Sequence, residues 1–210
     1  MSEPGHPLAV RLAEHFRDRP TAARVLVLGV GNGRNLPPLL AAGLIVDAID
    51  DDPERVAAVR ERFGDEPRLR VARADYPNPA ALGRDYDGAV SSSAYLHGTP
   101  AKVRAALAAL CLIARPGARL LFTLGSKSDS RFGLGSWIDD DTWAPIAGPE
   151  TGVPHSYFDE RDVRALLTAV DVVDLDERDV AAVVGRWAHV DDPRPPQVHW
   201  FVEALTRACR

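Results

Sequence analysis

The run Arg24-Val25-Leu26-Val27-Leu28-Gly29-Val30-Gly31-Asn32-Gly33 sets three glycines directly behind a short apolar stretch. Glycines so placed let the chain turn sharply and let a ligand approach the backbone closely. A second apolar stretch, Ile45 to Ile49, ends on a carboxylate, Asp50. A buried strand, a glycine turn, a helix and a second strand tipped with an acid is how an α/β sheet holds the adenosine part of a ligand, the carboxylate accepting from the ribose hydroxyls. Asp50 is assigned to the ribose because Asp52 already provides the cap of the next helix. A dinucleotide turn needs G-x-G-x-x-G. Counted from Gly29 the third position is Arg34, and counted from Gly31 it is Leu36. Both registers fail, so the pattern offers close approach without the geometry for a pyrophosphate. Asp75 follows the third strand; it suits an adenine amino group, or it starts the turn at Tyr76-Pro77. His97, His155, His189 and His199 show no H-x-x-x-H spacing and the chain has no C-x-x-C, so no metal is expected.

The elements that must position these residues follow from periodicity. Leu8, Leu12, His15 and Phe16 recur at helical spacing and predict a helix over 7–19. Strands are expected at Val25–Leu28, Ile45–Ile49, Leu69–Ala72, Tyr86–Ser91 and Ala118–Leu124. Helices fall between them, at Leu36–Ala42, after the Asp52-Pro53-Glu54 cap, and after Thr99-Pro100. Residues 125–157 hold five glycines, three prolines and two tryptophans with no period, which reads as a functional loop or lid. Asp159 caps a helix expected through Ala169, and Val170–Leu175 and Val198–Leu205 are two last strands joined by 185–196. Alternation of strands and helices predicts an α/β fold: a doubly wound, mainly parallel, seven-stranded sheet ending in an antiparallel C-terminal edge hairpin. Residues 1–210 are expected to form a single domain, with 125–157 on the substrate side.

Bulk properties narrow the partners. The chain has 210 residues, 46% hydrophobic and 26% charged, with a net charge of −5. It has no basic stripe, which disfavours a nucleic-acid partner. No apolar run approaches the roughly 20 residues that cross a bilayer. Residues 1–8 lack the apolar core of a signal peptide. Cys111 and Cys209 read as a buried and an incidental thiol, which suits a cytoplasmic location.

Gly31-Asn32-Gly33-Arg34-Asn35, Leu40-Ala41-Ala42-Gly43 and Val46-Asp47-Ala48-Ile49-Asp50 resemble the class I S-adenosylmethionine-dependent methyltransferases, a Rossmann-like family. The likeness is greatest to the small tellurite-resistance-type and related small-molecule enzymes. Tyr86-Asp87-Gly88-Ala89-Val90, Leu96-His97-Gly98 and Leu112-Ile113-Ala114-Arg115-Pro116-Gly117 resemble the fourth strand, the loop after it and the turn into the fifth. Gly152-Val153-Pro154-His155-Ser156-Tyr157-Phe158 and His199-Trp200-Phe201 are similar to later segments of a subset of the family. The likeness therefore covers nearly the whole chain, and only its front half is specific.

The resemblance implies S-adenosyl-L-methionine as cofactor. Gly29, Gly31, Asn32 and Gly33 would meet its methionine part, Asp50 and Asp51 the ribose, Ala74 and Asp75 the adenine, and Ser91 the amino group or the substrate. Val27 stands where the family commonly has an acid for the cofactor's ammonium. The acceptor is expected to be a small molecule, and the protein a monomer or homodimer. His97 and His155 are the candidate catalytic residues: His97 suits a general base near the methyl group, or equally a structural hydrogen bond closing its loop. Tyr95, Trp137 and Tyr157 are the candidate substrate residues, with core packing or loop anchoring as the competing roles. Rival readings are a cofactor-binding module without catalysis and an NAD-dependent oxidoreductase.

Overall fold

The computed structural model describes residues 4–76, 83–184 and 197–207. The connection 185–196 with His189, the residues after Tyr76 and Cys209 lie outside the described residues. Strands β1 (Arg24–Leu28), β2 (Ile45–Asp50), β3 (Leu69–Arg73), β4 (Tyr86–Ser91), β5 (Ala114–Ser126), β9 (Val170–Asp179) and β10 (Val198–Thr206) form the main sheet, in the order β3-β2-β1-β4-β5-β10-β9. The first five run parallel, and β10 is antiparallel to both β5 and β9. The antiparallel pair was expected as an edge hairpin. In the structure β10 lies against β5 and β9 is the outer strand, so the pair stands at this edge as expected.

Helices cover both faces, and the strand alternation shows which residues serve which face. Val25, Val27, Val46, Ala48 and Leu121 pack with α1 (Pro7–Phe16), α2 (Leu36–Ala41) and α3 (Pro53–Phe63). Leu26, Leu28, Ile49, Leu120 and Phe122 pack with α4 (Pro100–Ile113) and α5 (Glu160–Leu166). Strands buried on both faces are why this part of the sequence reads as continuous apolar runs.

Two expectations are corrected. The first helix ends at Phe16 and α5 at Leu166, both short of the predicted 19 and 169. Residues 125–157 are not irregular: they contain β6 (Ser136–Asp139), β7 (Thr142–Ala144) and β8 (His155–Phe158). These form an antiparallel ribbon whose last strand runs parallel to the end of β5. The strands are three or four residues long, too short for a period to show in sequence. A short helix, α6 (Val180–Val184), follows β9.

Candidate functional site

The site begins where β1 and β2 end side by side. The N–H groups of Gly29 and Val30 both donate to the Ile49 carbonyl, at 2.9 and 3.0 Å. Gly29, Gly31 and Gly33 have φ of 76°, 53° and 80°, a region that favours glycine. A Cβ on Gly29 would lie 2.9 Å from Ala94 Cβ, and one on Gly33 would lie 2.8 Å from Phe63. A Cβ on Gly31 would meet nothing within 4 Å. Gly31 is thus the point where the backbone faces open space. Asp50 is fully buried and accepts the Gly31 N–H at 2.9 Å and the Asp52 N–H at 3.1 Å. Each oxygen keeps a lone pair for a ligand. Asp52 caps α3 by accepting from Glu54 and Arg55, the division of labour expected from sequence.

A cavity of about 370 Å³ opens here. One wall is Gly29, Val30, Gly31, Asn32 and Asp50; the loop after β4 adds Ser92, Ser93, Ala94 and Leu96. His97, Glu150 and His155 also line it, as do Arg131 and His199. His155 Nε2 lies 3.1 Å from Glu150 Oε2, and His97 Nε2 lies 3.4 Å from Glu150 Oε1. The two imidazoles, His155 foremost, hold the Glu150 carboxyl well below the usual carboxylate range against the opposing effect of its burial. Arg131 is gripped by Asp129 through two bonds at 2.9 and 3.0 Å and reaches His199 Nε2 at 3.2 Å. Burial, then the Arg131 charge, pushes His199 down to about 3, so it is neutral. It accepts from Arg131 through Nε2 and carries its proton on Nδ1.

A second cavity of about 530 Å³ adjoins the first and shares Arg131, Glu150 and Gln197 with it. The ribbon supplies its apolar side through Leu134, Pro145, Ile146 and Pro149, together with Tyr157.

The structure unites some sequence candidates and disperses others. Gly29, Gly31, Asn32, Asp50, His97 and His155 share the first cavity, Gly33 supports its turn, and Tyr157 lines the second. Asp51 sits outside, on an adjoining groove with His97 and Lys102. Ala74 donates its N–H to the Asp50 carbonyl at 2.9 Å, and Asp75 pairs with Lys102 at 3.2 Å; neither lines the first cavity.

Three further candidates line neither cavity. Ser91 is the buried last residue of β4, and Ser92 and Ser93, just past the strand end, line the cavity instead. Tyr95 is in the core, edge-on to Phe122 at 5.4 Å, because the turn Ala94–Leu96 folds it under the sheet. Trp137 is 61% exposed on β6 and lines neither cavity. Glu150, Arg131, Tyr76 and Asn35 line the first cavity without having been singled out by sequence. A Pro-Glu dipeptide in an aperiodic stretch carries no spacing signal, and only the fold of the ribbon brings it to the histidines.

Residues 25–117 match the family model of a methyltransferase domain. Solved structures share the fold across the chain. TehB from Haemophilus influenzae is 18% identical, with a TM-score of 0.66, over 96% of this chain and 62% of that one. A SAM-dependent methyltransferase from Methanosarcina mazei is 13% identical, with a TM-score of 0.72, over 98% of this chain and 100% of that one. The 1,6-didemethyltoxoflavin-N1-methyltransferase of Burkholderia thailandensis is 22% identical, with a TM-score of 0.67, over 96% and 77%. This chain thus spans about 62% of the TehB chain. No curated protein matches it. The fold is thus shared with S-adenosylmethionine-dependent methyltransferases such as the Methanosarcina mazei protein, and residues 25–117 match the methyltransferase-domain model.

The site fits that cofactor. Gly31 offers open space against bare backbone, and Asp50 brings a buried carboxylate to the same wall. Val27 is buried in the core of β1, so the ammonium that an acid at that position would meet has to find another partner. Asp50 and Glu150 are the carboxylates among the described residues of this cavity.

Proposed function

We propose that this protein transfers a methyl group from S-adenosylmethionine to a small-molecule acceptor, with the cofactor against Gly29–Gly33 and Asp50 and the acceptor towards the ribbon. The observation that carries this is the meeting of two unlike groups in the lining of one cavity: bare glycine backbone with a buried carboxylate, and two imidazoles with a second carboxylate. The cofactor supplies an electrophilic methyl group by in-line displacement. The protein's own tasks are to bind, align the acceptor and take up its proton. Asp50 holds the ribose and Gly31 admits the cofactor. His97 and His155, coupled through Glu150, prepare the acceptor. The adjoining apolar chamber with Tyr157 receives the acceptor's body. Proteins of the same fold include a 1,6-didemethyltoxoflavin-N1-methyltransferase with 1,6-didemethyltoxoflavin bound and a magnesium protoporphyrin IX methyltransferase, which supports a small-molecule acceptor. A chain of 210 residues with only two cysteines supports a reducing compartment such as the cytoplasm.

Val27 favours one other reading, a module that binds the cofactor without turning it over. Calorimetry with S-adenosylhomocysteine, together with methyl-labelled cofactor and a broad acceptor panel, tests both. The proposal expects micromolar binding and label in at least one acceptor. Asp50→Ala is expected to weaken binding by about tenfold or more, or roughly 1.4 kcal/mol. Unchanged affinity in that variant removes the ribose from Asp50. Tight binding with no transfer to any acceptor favours the module.

A further inference from the structure

Two segments that are distant in sequence bring three metal-ligating side chains to one point of the cavity. One ligand atom from each of His97, Glu150 and His155 lies within 4.8 Å of the others. The second ring nitrogen of His155, Nδ1, is 2.8 Å from the Val153 carbonyl oxygen. A carbonyl only accepts, so Nδ1 carries the proton. Nε2 is then the nitrogen left to face a carboxylate oxygen, 3.1 Å away. Such a gap holds a proton or a cation. Separations of 3.1 and 3.4 Å are those of atoms bound to one ion at about 2.0–2.2 Å each. An Nδ1–H on a backbone carbonyl is also how a metal-bound imidazole is held in orientation. The backbone presets the geometry: His97 and His155 form an antiparallel bridge, and Gly98 donates to the Pro154 carbonyl at 2.7 Å.

We propose that His97, Glu150 and His155 bind one divalent transition-metal ion. Two imidazoles and one carboxylate suit zinc, iron or cobalt better than magnesium or calcium. Three protein ligands leave coordination positions open, and all three residues line the cofactor cavity, with Glu150 also lining the second chamber. The open positions therefore face the place assigned to the acceptor. An oxygen, nitrogen or sulfur donor of the acceptor would bind there, its proton released to solvent. This part rests on the function proposed above; the metal site itself does not.

The test titrates protein stripped of metal by a chelator with Co²⁺, read by visible absorption and calorimetry. One ion per chain at micromolar affinity or tighter is expected. His155→Ala and Glu150→Gln are expected to weaken it by at least about 100-fold. Far-UV circular dichroism and urea unfolding of the same preparations report whether the variants fold. His97→Gln, a more exposed ring, replaces either variant that does not fold. Wild-type protein that binds S-adenosylhomocysteine but neither Co²⁺ nor Zn²⁺ below millimolar overturns the metal site and leaves the cofactor reading standing. Metal affinity equal in all variants places the ion elsewhere and overturns it as well. Metal binding without S-adenosylhomocysteine binding sinks the cofactor reading alone.

Discussion

Gly31 and Gly33 carry the same backbone demand and different surroundings. Both have positive φ, which costs an alanine about 1–2 kcal/mol. At Gly33 the new methyl also strikes Phe63 and Val59, which adds overpacking. At Gly31 it enters open space on the cavity wall. Gly33→Ala is therefore expected to lower stability by about 2–3 kcal/mol. Gly31→Ala is expected to lower it by about 1 kcal/mol yet weaken S-adenosylhomocysteine binding by more than about tenfold. Urea denaturation and calorimetry on the two variants separate these effects. Equal losses of affinity per unit of stability would show that Gly31 does not face the cofactor.

At the scale of elements, the far end of the sheet from the cavity is locked by one carboxylate. Asp47, on β2 and fully buried, accepts from Arg24 Nε at 2.9 Å, from Arg70 Nε and Nη2 at 2.8 Å each, and from the Tyr86 hydroxyl at 2.8 Å. It thereby joins β1, β2, β3 and β4 at the start of the strands. Burial first, and Asp47 second, pushes the Tyr86 hydroxyl well above its ordinary range, so it stays a donor. Asp47→Asn keeps the volume and loses the charge. It is expected to cost about 3–5 kcal/mol, because two guanidinium groups lose their shared counter-charge. A drop in the urea midpoint with S-adenosylhomocysteine affinity retained is the outcome that fits. A loss below about 1 kcal/mol would mean solvent replaces the carboxylate.

Across the whole molecule, the two ends of the described chain meet beside the site. His6 caps α1 through Nδ1, which accepts the Leu8 N–H at 3.2 Å, and its ring stacks on Phe201 of β10 at 5.8 Å. Its own N–H is held by Asn35, which also donates to Ser92 on the cavity wall. Burial, then Arg34 and His199, pushes His6 down to about 3. The unfolded chain takes up this proton near 6.5 and the folded chain near 3, so stability is full above 6.5 and falls as pH is lowered between the two. One such group contributes about 1.4 kcal/mol per pH unit in that window. His199, lowered alike, adds its own share. His6→Asn keeps a cap and removes the titration. Stability of the variant measured between pH 7 and 4 is expected to fall less steeply than that of the wild type by nearly one proton. Identical slopes would show that His6 is already protonated in the folded state.

What the sequence by itself determined is the cofactor half. Val25–Leu28, the glycines, Ile45–Asp50 and the Asp52-Pro53 cap are short-range patterns, and strand burial, positive φ and helix capping are each decided within a few residues. The Asp52 cap, and Asp50 at the end of β2 on the cavity lining, were legible for that reason. The acceptor half was decided by tertiary structure. Tyr95 has the composition of a pocket residue, yet its turn carries it into the core. Ser92 lines the cavity where Ser91 was expected, because Ser91 is still inside β4 and Ser92 is the first residue past it. Trp137 stands in solvent because β6 is the outer strand of the ribbon. Glu150 meets His97 and His155 only because β8 runs beside the end of β5 and the ribbon folds back over the loop after β4. Contacts across more than fifty residues leave no period and no spacing in the sequence, so the chain's order of amino acids names the histidines but not the carboxylate that joins them.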